Sequence, residues 1–302
     1  MPMVVANGVK HYMQQLQAKG HNSDGPAPIV VLMHGLLIDS LASYSFTLGP
    51  RFAAAGLDVI MYDLRGHGRS TRPGTGYRLA DFLDDLDDLL VGMEIRTPVH
   101  LVGNSLGGTI AFGYAERRPE RVASVVLVES IPAARGWEPK MLFASDLARL
   151  VLGDSAPANS EWETRAAMAS DLAHVGDHFS RPENIAEIAD SHGLPAARLA
   201  KRMGQMLWST SIIEDLLASE VLSCTQIAAV SVPTMAIYGA ESELVREAVW
   251  LKSVLPSCAT VIVPGEGHYV LFNRVVLMEE LILEWLRGHG VLTGALIEAR
   301  PE

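Results

Sequence analysis

The sequence predicts an α/β fold: a doubly wound, mostly parallel sheet carrying an inserted helical cap. Three observations point there. Short apolar, β-branched runs alternate with helix-like stretches; the alternation stops at Ile131-Pro132 and resumes at Val232-Pro233; and the 302 residues are 49% hydrophobic and 20% charged, as in a compact chain with a large core. Runs that are apolar throughout are what parallel strands buried on both faces look like.

In chain order, Asn7-Gly8 between residues 4–6 and 10–16 is a two-residue hairpin signal, so the chain opens with two antiparallel strands. Residues 20–28 then read as a loop. Strands follow at Ile29–Met33, ending in His34-Gly35, at 59–62, ending in Asp63-Leu64-Arg65-Gly66-His67-Gly68, and at 99–102 and Val122–Val128. Helices are expected between them, at 46–55, 79–93 and 106–116. In the second of these, Asp81, Asp84, Asp85, Asp87 and Asp88 interleave with Leu83, Leu86, Leu89 and Leu90, the pattern of an amphipathic helix with a solvated acidic face.

Residues 132–231 hold helical patterns, at 161–172 and 196–207, and no convincing strand, which defines the cap. The core domain is then 1–131 with 232–302. Its second part reads as strand, helix, strand and helix at 234–238, 247–254, 260–263 and 275–286, and 288–302 reads as a short, partly ordered tail.

A formal charge of −11 argues against a nucleic-acid partner, whose binding needs basic surface. Cys224 and Cys258 have no disulfide or zinc spacing. The N-terminus lacks a signal-peptide pattern and no segment reaches the length of a membrane span, so a cytoplasmic protein without a membrane partner is expected. No cofactor or metal is called for, because Gly66-His67-Gly68 and Gly265-Glu266-Gly267 lack dinucleotide or P-loop spacing. The cap surface and the tail are compatible with a homodimer and demand none.

The decisive motif is Gly103-Asn104-Ser105-Leu106-Gly107, preceded by an apolar strand and followed by a helix-compatible run. A strand-to-helix turn this tight needs small residues on both sides of the serine. It lifts the hydroxyl clear of the sheet and aims a helix N-terminus at developing negative charge.

With His34-Gly35, the Asp63–Ser70 stretch and Gly265-Glu266-Gly267-His268 after the last strand, this motif resembles the α/β-hydrolase superfamily over about residues 3–286. The resemblance implies Ser105 as nucleophile and His268 as general base. It also implies backbone N–H groups of Leu36 and Leu106 as oxyanion hole, while His34 and His67 shape the loops beneath the site.

The third triad member departs from the pattern. Ser242 stands where the family's aspartate is expected, in Tyr238-Gly239-Ala240-Glu241-Ser242-Glu243. Certain haloalkane dehalogenases, and hydrolases similar to the zearalenone lactonases, carry the acid after the strand that follows the elbow helix. That position is Glu129 here, and Glu243 or Glu241 are the alternatives.

A serine nucleophile excludes halide displacement and leaves acyl chemistry on a small-molecule ester, lactone or thioester. Gly35, Trp137, Met141, Trp208 and Tyr269 are the expected substrate contacts, and the cap's apolar residues suit a bulky acyl group, although such residues usually serve packing. Two other readings stay open: C–C hydrolysis of meta-cleavage products, suggested by Asn104 beside the serine, and a non-catalytic ligand-binding member of the fold.

Overall fold

The computed structural model describes residues 3–20, 25–37, 39–134, 173, 175–255, 257–288 and 296–298. Its strands are β1 Met3–Ala6, β2 Val9–Leu16, β3 Ile29–Met33, β4 Asp58–Tyr62, β5 Val99–Asn104, β6 Val122–Val128, β7 Thr234–Gly239, β8 Ala259–Val263 and β9 Leu296–Glu298. They form one sheet in the order β1-β2-β4-β3-β5-β6-β7-β8-β9. The β1–β2 and β2–β4 pairings are antiparallel and all the others parallel.

The opening hairpin pairs Ala6 with Val9, and Asn7 and Gly8 both take positive φ (46° and 73°), as a two-residue primed turn requires. Helices α1 Ala42–Ser45 and α2 Leu48–Ala54 follow β3. α3 Leu79–Gly92 follows β4, α4 Leu106–Arg117 follows β5, α8 Val245–Val254 follows β7, and α9 Val270–Asn273 and α10 Val275–Gly288 follow β8. Between β6 and β7 the described residues form α5 Pro182–Ser209, α6 Ile212–Leu217 and α7 Cys224–Ala228, and an isolated β-bridge pairs Ala134, shortly after β6, with Leu222. α5 is broken at Gly193 (φ 84°, ψ 164°), two residues before Pro195.

The sheet separates two apolar layers, and strand alternation assigns residues to them. Val31 and Met33 of β3 face the layer made with α3, α4 and the cap helices, whereas Val30 and Leu32 face the layer of α2 and α10. The tight seat of α4 on β5 depends on glycine: a Cβ at Gly103 would overlap the Gly107 backbone, and one at Gly107 would overlap the Met33 carbonyl.

Two sequence expectations change. Asp85 is not on the solvated face of α3: it is 1% exposed and receives Arg65 Nε at 2.6 Å and, from Nη2, a second charge-assisted bond. Helix periodicity cannot reveal that a buried cation waits twenty positions upstream. The tail contributes β9, parallel to β8, through three residues too few to carry a periodic signal. Among the described residues no helix is long and apolar enough to cross a membrane. Cys224 is exposed and Cys258 is buried, both as free thiols.

Candidate active site

Parallel strands deliver their following loops to one edge of the sheet, and every candidate residue in the core lies in such a loop. Ser105 closes β5 with φ 51° and ψ −123°, outside the regions open to most L-residues. The turn is held from three sides. Ser105 N donates to Val128 O at 2.9 Å, and Ser105 O accepts from Gly108 N at 2.9 Å and from the Ser130 hydroxyl at 2.6 Å. The Ser105 hydroxyl bonds no described residue and is therefore not hydrogen-bonded to His268.

Glu129 directly follows β6, with φ 48°, and is fully buried. Its Oε1 accepts from Gly239 N at 2.5 Å. Its Oε2 accepts from the Ser242 hydroxyl at 2.5 Å and lies 3.1 Å from His268 Nδ1. Ser242, in the position where an aspartate was expected, is thus the partner of a carboxylate donated by the neighbouring strand. Such crossing of roles is open to the chain because Val128 and Ile237 are paired in register at the ends of β6 and β7. Glu241 and Glu243 are exposed and their carboxylates bond no described residue, so neither meets His268. His268 itself is 14% exposed by side chain, with Tyr269 edge-on to its ring at 5.9 Å.

Facing the elbow, the loop after β3 holds Gly35, where a Cβ would lie 3.3 Å from Ser105 Cβ. Among the described residues neither Leu36 N nor Leu106 N has an acceptor, which leaves two N–H donors beside the serine; Leu106 opens α4, whose first N–H groups have no intrahelical partner. The loop is set by two neutral histidines. His34 Nδ1 donates to Gly35 O at 2.7 Å while its Nε2 accepts from Leu64 N at 3.0 Å; His67 Nδ1 donates to Arg65 O at 2.8 Å while its Nε2 accepts from Leu37 N at 2.9 Å. With an N–H facing Nε2 in each case, a second proton has no acceptor. Burial, foremost, pushes His34 down to about 4; burial and then the neighbouring His34 push His67 down to about 3.

The cap helices are fastened to the loop after β4. Ser211 N donates to Gly74 O at 2.9 Å, Gly76 N and Tyr77 N both donate to Asp215 Oδ2 at 3.0 Å, and Leu79 N donates to Ser219 Oγ at 2.8 Å. Trp208 is 69% exposed and lines a groove of about 560 Å³ with Phe179, Pro182 and Ile185. Met203 and Met206 are buried as cap packing. Trp137 and Met141 lie outside the described residues. Sequence reasoning missed His11, which is buried with Nδ1 3.1 Å from Asp63 O and Nε2 3.5 Å from Asp85; no motif marks it. Among the described residues no cluster of His, Cys, Asp and Glu could hold a metal ion.

A family model described as alpha/beta hydrolase fold matches residues 28–275. Over 81 residues the chain is 38% identical to a non-heme chloroperoxidase of Streptomyces lividans, a match covering 27% of this chain and 29% of that protein. It therefore spans under a third of that curated relative. Among solved structures, a putative lipase from Acinetobacter baumannii AYE superposes with TM-score 0.71 at 16% identity, covering 95% of this chain and 91% of that one. The enol-lactonase from Burkholderia xenovorans LB400 does so with TM-score 0.65 at 18% identity, covering 95% and 100%.

Proposed function

The chain belongs to the alpha/beta-hydrolase fold family, and from that premise we propose that it is a serine hydrolase cleaving a carboxylic ester, lactone or thioester through Ser105, His268 and Glu129. The observation that carries this reading is the buried Glu129 carboxylate 3.1 Å from His268 Nδ1, at the end of the strand beside the serine elbow. A carboxylate there fixes the Nδ1–H tautomer, so the Nε2 lone pair is the one available to the serine proton.

In the proposed reaction the Ser105 hydroxyl closes on the acyl carbon as His268 takes its proton. The bond to the leaving group breaks when the tetrahedral oxyanion collapses and His268 returns that proton to the departing oxygen or sulfur. Water, deprotonated by the same imidazole, then attacks the acyl carbon; the bond to Ser105 Oγ breaks, the imidazolium returns its proton to Oγ, and the acid is released. The unpartnered N–H groups of Leu36 and Leu106 stabilise the oxyanion in both steps; losing one such donor costs about 10²- to 10³-fold in turnover. Ser242 and Gly239 hold the carboxylate by one hydrogen bond to each oxygen. Phe179, Pro182, Ile185 and Trp208 give the groove an apolar wall that would suit a bulky acyl group, and Arg72, Lys201 and Gln205 also line it.

A second reading, C–C hydrolysis, draws on Asn104, which is buried beside the nucleophile with Oδ1 lacking any described partner. The deciding experiment assays wild type and Ser105→Ala on p-nitrophenyl esters, acyl thioesters, aryl macrolactones and a meta-cleavage dienone, with fluorophosphonate labelling alongside. Ester turnover and labelling that both vanish in Ser105→Ala support the proposal. Folded wild type that turns over nothing and takes no label defeats it and leaves a ligand-binding member of the fold.

A further inference from the structure

A second, smaller cavity of about 220 Å³ adjoins the loop that carries Leu36. Leu37, Asp39, His67 and Arg72 wall it from the core side, and Arg202 and Gln205 from α5. One of its lining residues, Asp39, sits beside the elbow: a Cβ placed on Gly35 would lie 3.3 Å from both Asp39 Oδ2 and Ser105 Cβ.

The cavity's charge is out of character for a chain of net charge −11. Arg72 is steadied by its Nε, which donates to Gly66 O at 3.1 Å, and forms no ion pair with any described residue; among the described residues Arg202 has neither hydrogen bond nor ion pair. Among the other described arginines, Arg51, Arg65, Arg117, Arg118 and Arg181 each meet a carboxylate, whereas Arg78, Arg121 and Arg246, like Arg72 and Arg202, form no ion pair with a described residue. Within the cavity, Asp39 is already occupied: Oδ2 accepts from Gly35 N at 2.7 Å, and Oδ1 from Ser40 N at 2.8 Å and from the Ser43 hydroxyl. His67 has both ring nitrogens engaged and adds no charge. Two guanidinium groups therefore flank one small, walled space with a single, internally bonded carboxylate as counter-charge. Such an arrangement is suited to an anion, because guanidinium forks bind planar oxyanions bidentately, and Arg202 is exposed enough to be reached from solvent.

We propose that Arg72 and Arg202 hold a carboxylate carried by the substrate, at the distal end of the acyl group whose carbonyl Ser105 attacks, with Gln205 as a further donor. This rests on the serine-hydrolase reading for the identity of the reacting bond, though the anion site itself does not. A phosphate on the leaving group of a thioester offers similar chemistry, and the test separates the two.

The p-nitrophenyl half-ester of glutaric acid is compared with p-nitrophenyl pentanoate, an acyl chain of equal length ending in methyl. Wild type should favour the half-ester in kcat/KM by about 10- to 100-fold, the range of a charge-assisted contact. Arg202→Gln should bring that ratio close to one and Arg202→Glu should invert it. Arg202 is the residue to change because it supports nothing else in the fold. A wild-type ratio near one, or a ratio that Arg202→Gln leaves intact, overturns the proposal.

In parallel, glutarate and inorganic phosphate are titrated calorimetrically into Ser105→Ala, with and without Arg202→Gln. Glutarate binding that Arg202→Gln abolishes supports the site even when no ester is turned over, an outcome that would sink only the hydrolase reading. Phosphate binding without glutarate binding overturns the carboxylate assignment, and binding of neither overturns the site.

Discussion

Replacing Glu129 by Gln keeps the shape of the side chain and removes its charge, so it isolates what the carboxylate does for His268. When the imidazole takes up the serine proton, a positive ring faces Oε2 at a separation of 3.1 Å. At an effective dielectric constant of about 20, unit charges at that distance attract by about 5 kcal/mol. At 1.36 kcal/mol per decade this corresponds to a fall of about 10⁴ in kcat. The amide also has a choice of orientation: with its NH₂ toward His268, the ring is held in the wrong tautomer, which acts in the same direction. The assay is steady-state hydrolysis of an activated ester by wild type, Glu129→Gln, Glu241→Gln and Glu243→Gln, each checked for folding by circular dichroism. The expected pattern is a loss of about 10⁴ in Glu129→Gln alone, with partial recovery in Glu129→Gln/Ser242→Asp. A folded Glu129→Gln within tenfold of wild type would refute the assignment, most clearly if Glu243→Gln fell instead.

Other consequences follow from the same geometry. Ser242→Ala removes one hydrogen bond to the buried carboxylate, and kcat should fall about tenfold, equivalent to about 1.4 kcal/mol, with Ser242→Thr recovering it. Gly107→Ala should destabilise by more than about 3 kcal/mol in urea unfolding, because its methyl has nowhere to go but the Met33 carbonyl. The neutral histidines make stability pH-dependent: below about pH 6.5 the unfolded chain binds protons that His34 and His67 refuse until about 4 and about 3, so the fold weakens as pH drops through that window. His34 alone accounts for about 3 kcal/mol by pH 4. The buried carboxyls of Asp39 and Asp63, held above the usual range by burial, act with the opposite sign. The check is therefore the urea-midpoint slope of wild type against His34→Gln, which should be flatter in the variant.

The sheet was legible wherever burial on both faces left a run of β-branched residues: Ile29–Met33 and Val122–Val128 are strands over the expected residues. Ser105 was legible because its turn needs glycines that the sequence displays. Glu129 was half legible: the absence of an acid at position 242 announced that the carboxylate lay elsewhere, but the hydrogen bond from Ser242 is a contact across 113 positions that no local pattern encodes. The same limit hid the pairing of Arg65 with Asp85 and the engagement of His11. Arg72 and Arg202 carry no motif at all. They meet only because Ser211, Asp215 and Ser219 fasten the cap's last helices over the loop after β4.

The backbone at Ser105 also bears on how the protein can be improved. Five described non-glycine residues have positive φ, and Leu37, Ser105 and Glu129 are three of them, so departures from relaxed geometry gather where chemistry is expected. At position 105 a glycine would relax the turn and disturb no side-chain hydrogen bond, since the hydroxyl makes none among the described residues. Ser105→Gly should then melt above wild type, by a margin on the order of 1 kcal/mol. A library screened for heat resistance alone would enrich that variant, which the proposed reaction cannot use, and thermostabilisation of this protein calls for a selection in which survival and turnover are scored on the same clone.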